Sequence, residues 1–458
     1  MDTNSSATEQ VTGMEAAPHA LFDLGDSLPP PVTPAAGSPR LRFANRAQVE
    51  IRCCSLDSLM PEDHPARIVW AYVAELDLSA LLAKVKAVQG GPGASATDRR
   101  ILLALWLYAT LRGVGSAREL DRRCDPETGE VPFQWICGGV TLNYHTLADF
   151  RVVHGKVLDH LLTDSVAVLL EQELVSMERV AQDGMKVRAS AGAASFRRRP
   201  RLEQFRDEAE AQVATLKKEL ELDPTAGSRR QRAAQHRATE DRARRLQKAL
   251  AQLPHVEEQK PAKDKDKARV STTDPDARVM KMADGGFRPA FNVQLATDTQ
   301  TQIITGVDVT NSGGDQGKLA PMVEQHAQRY EGKPNEMLVD GGFAKKEDIE
   351  KVEQGGTTVY APVQTSKDPE RDAHTPRPDD TPKVAEWRQR MATPEAKEIY
   401  KERASTAECV NAHSRNRGLY QFRVRGLAKV KAVVLLYVLA HNLMRAAILR
   451  AERDNQGK

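Results

Sequence analysis

The chain has 458 residues, 28% of them charged and 40% hydrophobic, with a formal net charge of only +3. That length accommodates two or three domains with real cores, and so small a net charge excludes any argument from overall electrostatics. The distribution says more: no Lys or Arg precedes Arg40, whereas Arg415, Arg417, Arg423, Arg425, Lys429 and Lys431 follow Glu408 without an intervening acid. Such a patch meets phosphates, or is a solvated basic helix face. The five cysteines are odd in number and lack CxxC spacing. Neither a disulfide framework nor a four-ligand zinc site is expected, and a reduced, cytoplasmic setting fits. The N-terminus, with Asp2, Glu9 and Glu15, lacks the basic start and apolar run of a secretory signal. The late apolar run at 432–440 stops at His441-Asn442. It falls short of the roughly 20 residues that span a bilayer, so no membrane partner is expected.

Residues 1–45 hold Ser5-Ser6, Pro29-Pro30-Pro31 and Pro34-Ala35-Ala36-Gly37-Ser38-Pro39, a composition expected to form a disordered leader. Residues 46–174 read as an all-α N-terminal domain. His64-Pro65 opens one helix, Thr97-Asp98 caps another, and two more follow near 116–121 and from 146 to 170. Gly113, Gly115 and Gly138-Gly139 separate short helices, and Arg118, Arg122 and Arg123 cluster. This suggests a helix-turn-helix-like DNA-binding module, with a plain helical packing domain as the competing reading.

A strand at 177–187 carries Asp183. After it, Leu202, Phe205, Ala209, Val213, Leu216 and Leu220 recur at helical spacing; a break at 224–227 and a second helical stretch ending at Pro254 follow. Residues 200–271 are therefore expected to be a charged helical hairpin inserted into an α/β domain made of 175–199 and 272–450. Strands resume at 290–296, 303–309, 337–339 and 358–362, with a helix over 317–330 and a Pro- and Asp-rich loop over 367–382 before the final helices.

Three acids carry candidate chemistry. Asp183 lies in Val180-Ala181-Gln182-Asp183-Gly184, Asp340 ends the run Leu338-Val339-Asp340-Gly341-Gly342, and Glu408 lies on a basic helix. Oxygen ligands suit hard divalent cations, and two such ions about 4 Å apart can activate an attacking oxygen and relieve charge on a leaving oxygen at a phosphodiester. Taken singly, each aspartate also fits an ordinary strand-ending turn, and Glu408 a surface helix residue. Asp284, Asp298, Asp308 and Asp315 are competitors that periodicity does not exclude.

In combination these segments resemble the DDE transposases of bacterial insertion sequences. Asp183-Gly184-Met185-Lys186-Val187-Arg188-Ala189 is similar to the family's first-acid strand. Thr273-Asp274-Pro275-Asp276-Ala277-Arg278 and 285–294 are similar to its second-strand region, and Val307-Asp308-Val309-Thr310-Asn311 and 338–343 to the strands that follow. Tyr400, Arg403, Glu408 and Arg415 resemble the signature around the third acid, and Leu439-Ala440-His441-Asn442-Leu443 the closing helix. Asp63-His64-Pro65 and 144–151 resemble the helical N-terminal domain, so the likeness spans about 46–450.

The resemblance implies an RNase H-like mixed sheet with flanking helices, preceded by the all-α domain and interrupted by the hairpin. It implies that Asp183, Asp340 and Glu408 bind two Mg²⁺ (or Mn²⁺) ions per site, and that Tyr400, Arg403 and Arg415 contact DNA or steady the glutamate's helix. The implied partners are double-stranded DNA, as terminal inverted repeats and target, and a second copy of the chain in a homodimer. The implied activity is cleavage of element ends and strand joining; the alternative is a catalytically inactive, transposase-derived DNA-binding regulator. Two departures stand out: Cys409-Val410-Asn411-Ala412-His413-Ser414 is more polar than is usual in relatives, and Arg415 stands where lysine is usual.

Overall fold

In the computed structural model the described residues are 53–83, 85, 87, 95–222, 229–364 and 372–456. The expected leader, 1–45, and residues 367–371 of the expected loop at 367–382 lie outside them. The first helices are α1 (Pro65–Glu75), α2 (Ser79–Leu82), α3 (Arg99–Leu111), α4 (Ala117–Arg123), α5 (Val131–Cys137), α6 (Tyr144–Val153) and α7 (Gly155–Glu171). Their starts follow from their sequences. His64 accepts from the Ala66 N–H ahead of Pro65 at the first helical position, Asp98 accepts from Arg100, and Ser116 and Asn143 cap in the same way. Helix α3 is buried without interruption from Ile101 to Thr110, as a helix apolar on all sides must be.

The single helix expected over 146–170 is broken at His154. His154 leaves helical geometry at φ −103° and ψ 22°, ending α6 and opening α7, and Gly155 then packs in ordinary contact with Ala432 of the last helix.

The sheet is built from β1 (Arg179–Arg188), β4 (Arg278–Lys281), β5 (Phe287–Asp298), β6 (Ile304–Thr310), β7 (Glu336–Val339) and β8 (Thr358–Tyr360); β2 (Phe196–Arg197) and β3 (Val270–Ser271) pair separately. The order is β4-β5-β1-β7-β8, with β6 also on β5. Strand β5 is antiparallel to β1, β4 and β6, while β7 is parallel to β1 and β8 to β7. This mixed α/β sheet is compatible with the expected RNase H-like domain.

Between β2 and β3 stand α8 (Arg199–Leu222) and α9 (Arg229–Glu258), packed through a small core of their own that includes Leu202, Leu246, Leu253 and Val256. Helix α9 runs through Pro254 rather than stopping there, because burial of Leu253 and Val256 on either side outweighs the lost backbone donor.

Helices α10 (Leu319–Tyr330) and α11 (Lys346–Gln354) connect the later strands, and α12 (Pro382–Arg390), α13 (Pro394–Arg403), α14 (Cys409–Asn416) and α15 (Leu427–Gln456) close the fold. Ahead of α12, the covered Asp380 carboxylate meets Arg388 Nε at 2.6 Å and Lys346 Nζ at 2.8 Å.

The apolar run stops at His441-Asn442, and helix α15 continues through them. Asn442 accepts from the Ile304 N–H at 2.9 Å and donates to the Ile304 carbonyl at 2.8 Å, while His441 meets the Gln302 carbonyl. The polar pair thus satisfies backbone groups at the start of β6. By length and composition α15 could cross a membrane, yet 67% of its most apolar window is buried among α3, α6, α7 and β6. The start of α15 is held by the Thr273–Arg278 motif: Asp274 accepts from the Gly426 N–H and Asp276 from the Leu427 N–H.

Candidate active site

Strand alternation decides which β1 residues meet which face. Gln182, Gly184 and Lys186 point to one side of the sheet and Asp183 to the other. On the first side Asp315 accepts from Asn292 Nδ2 and Gln294 Nε2, each at 2.7 Å, and lies 3.6 Å from Lys186 Nζ. Gly184 has no room for a side chain there, since a Cβ would come within 2.6 Å of Gln294 Nε2 and collide with Asp315. The other competing acids are also committed: Asp284 to Arg288, Asp298 to the Thr301 turn, and Asp308 to Lys431.

Asp183 occupies the opposite side. In the parallel pairing of β1 with β7, Gln182 is matched with Val339, so Asp183 and Asp340 follow at the next positions of adjoining strands. Neighbouring strands stand about 4.8 Å apart. Asp340 lies just past β7, where its Oδ1 accepts from the Gly342 N–H at 2.8 Å and fixes the turn.

The third element is a continuous helical path from α13 through a π-helical turn, Ala404–Glu408, into α14. In an α-helix, residues five apart diverge by about 140°. A π-turn closes i→i+5 bonds, so Arg403 and Glu408 share a face. Arg403 Nη1 lies 3.9 Å from Asp183 Oδ1 and Nη2 lies 3.6 Å from Glu408 Oε1, so one guanidinium stands between the two carboxylates. From the next turn Asn411 donates Nδ2 to Asp183 Oδ2 at 2.8 Å. Arg179 anchors the base of α13, pairing at 2.5 Å with both Glu336 of β7 and Glu402.

The electrostatics follow from this packing. Burial raises the Asp183 carboxyl above its usual range, and Asp340 and Asp315 add to the rise, against the pull of Arg403 and the Gly184 N–H. Burial also raises the Tyr400 hydroxyl, opposed by the Arg403 guanidinium 6.0 Å from its ring. For Arg403 burial acts downward, but Tyr400, Asp183 and Asp340 outweigh it and the net shift is upward.

The expected residues are thus partly gathered. Asp183, Asp340, Arg403, Tyr400 and Glu408 converge, with the Glu408 side chain 64% exposed. Arg415 is exposed at the end of α14. Arg118 and Arg122 are remote on α4: Arg122 pairs with Glu119, and Arg118 stacks on Tyr144. Among the described residues no three His, Cys, Asp or Glu side chains are already drawn to metal-binding spacing. The donor set nevertheless suits a hard cation, because the converging ligands are carboxylate oxygens and the buried Asn411 Oδ1 lacks a partner. Asn411 is the residue that sequence reasoning passed over; its only signal was polarity three positions after Glu408.

Comparison with known proteins finds two transposase family models in the chain. The family model Transposase domain (DUF772) matches residues 54–152, and the model Transposase DDE domain matches residues 364–447. Together they identify the chain as a DDE transposase of the insertion-sequence type. Glu408 lies inside the second match, while Asp183 and Asp340 lie between the two. No curated protein and no solved structure matches the chain.

Proposed function

We propose that the chain cleaves the ends of a mobile DNA element and joins them to a target, with Asp183, Asp340 and Glu408 holding two Mg²⁺ or Mn²⁺ ions in an RNase H-like domain. The observation that carries this reading is the convergence of Asp183 and Asp340 at adjoining strand positions with Arg403 bridging to Glu408. When bound, the ions supply charge relief at the phosphodiester and activation of the attacking oxygen.

The protein's own part is positional. Rigid β1 and β7 fix the two aspartates, and the π-turn aims Glu408 toward them from the helix. Asn411 orients Asp183 so that its other oxygen faces the substrate side. Arg403 balances the carboxylates and is close enough to be handed to a DNA phosphate when cations arrive. Arg415 and Tyr400 are read as DNA contacts, 46–174 as the DNA-recognising domain with Arg118 and Arg122, 175–199 with 272–450 as the catalytic domain, and 200–271 as an inserted hairpin. A homodimer in the cytoplasm, acting on terminal inverted repeats and target duplex, completes the proposal.

The test is cleavage of a labelled duplex bearing the element's own end, with Mg²⁺ or Mn²⁺, by wild type, Glu408→Gln and Asp340→Asn. Metal-dependent nicking lost in both variants supports the reading. Nicking that persists in Asp340→Asn rejects it, and binding without nicking in the wild type selects the inactive regulator.

A further inference from the structure

A cavity of about 550 Å³ opens between the N-terminal helices and the loop joining α14 to α15, away from the carboxylates. Its wall includes Trp106, Arg118, Tyr144, Arg151, Tyr420 and Arg423, and no acidic side chain lines it. Arg151 is only 8% exposed, yet its Nε has no hydrogen-bond partner and its Nη1 reaches only the Gly115 carbonyl. It lies over the Trp106 ring, 4.6 Å from the centroid, with no carboxylate to neutralise it. A buried cation left uncompensated is costly unless something anionic meets it. Tyr420 is the aromatic at the mouth: it is 53% exposed, with Arg188 of β1 5.8 Å above its ring. Arg425 and Lys429, both exposed, lie close in sequence to the same loop and add positive charge near it.

We propose that this cavity is a nucleotide subsite, taking one unpaired nucleotide of a DNA strand with its phosphate on Arg118, Arg151 and Arg423 and its base on Tyr420. The proposal rests on the reading that the chain acts on DNA, and adds where an unpaired nucleotide goes. Phosphate accounts for three arginines without an acid, and a base accounts for an exposed ring beside them. Asp183 and Arg188 are five residues apart on β1, roughly 17 Å along an extended strand. The held nucleotide therefore lies several steps from the bond to be cut, so the cavity serves strand placement and not the chemistry itself.

The experiment measures binding by the full chain, without divalent metal, of a blunt labelled duplex and of the same duplex with an unpaired tail. The tail should tighten binding about tenfold, the scale of one base stacked on an aromatic ring. Tyr420→Ala should abolish that increment and Tyr420→Phe, which keeps the ring, should retain it. Arg423→Ala should lower the salt slope on the tailed probe by about 0.7. The subsite is overturned if the tail adds nothing in the wild type or if its increment survives Tyr420→Ala. Failure to bind either probe would instead reject the DNA reading as a whole, so the two failures are told apart.

Discussion

Asn411 donates from Nδ2 to Oδ2 of Asp183 across 2.8 Å, joining α14 to the middle of β1. A carboxylate that must meet a metal through one oxygen gains from having the other held, since outer-shell partners fix orientation and typically matter by 10- to 100-fold. Asn411→Ala should therefore slow metal-dependent nicking by about 10- to 100-fold and shift the metal dependence to higher concentration. The measurement is nicking rate against Mg²⁺ concentration; an unchanged titration curve rejects the orienting role.

Arg403 stands where positive charge is needed between Asp183 and Glu408. An incoming divalent cation competes for the same oxygens. Arg403→Ala should bind Mn²⁺ more tightly than wild type in the absence of DNA and yet nick more slowly, because the phosphate contact is lost. Calorimetric Mn²⁺ titration checks the first half, and weaker binding in the variant would count against it.

Burial holds the Asp183 carboxyl above its ordinary value of 3.8. An acid raised in the folded state keeps its proton better folded than unfolded. Its contribution to stability is greatest below the unfolded value and falls as pH rises through the folded one. At neutral pH, without metal, Asp183→Asn should raise the melting temperature, and the gain should vanish below pH 3.8. Melts from pH 3 to 8, taken as variant minus wild type, read this; a gain that persists at the lowest pH contradicts the cause.

Asp380 is the opposite case. Burial alone would raise its carboxyl, but Lys346, the Arg377 N–H and Arg388 outweigh it and bring the value down to about 2. Its contribution is present above the ordinary 3.8 and is lost as pH falls toward 2. Asp380→Asn leaves Arg388 covered with its charge unmatched, and should cost about 3–5 kcal/mol in denaturant unfolding at neutral pH. A loss below about 1 kcal/mol would show that water reaches the pair.

Five strands of the sheet were legible because apolar runs between turn residues leave little else to form, whereas β4, Arg278–Lys281, is too short and polar to be read. The stretch read as 177–187 is Arg179–Arg188, and 303–309 is Ile304–Thr310. Two features were not legible: the break between α6 and α7 at His154, and the passage of α9 through Pro254, where the hairpin core holds the helix. At the site, the aspartates announced themselves through strand-end context. The π-turn that brings Arg403 and Glu408 to one face has no signature in residue type, and without it Asn411 could not be aimed at Asp183.

Helix α15 packs on α3, α6 and α7 on one side and donates Asn442 to the edge of β6 on the other. Among the described elements it is also the last to leave the ribosome. Without it both the α3 surface and the first residues of β6 would lie open, so one helix couples the stability of the helical region to that of the sheet.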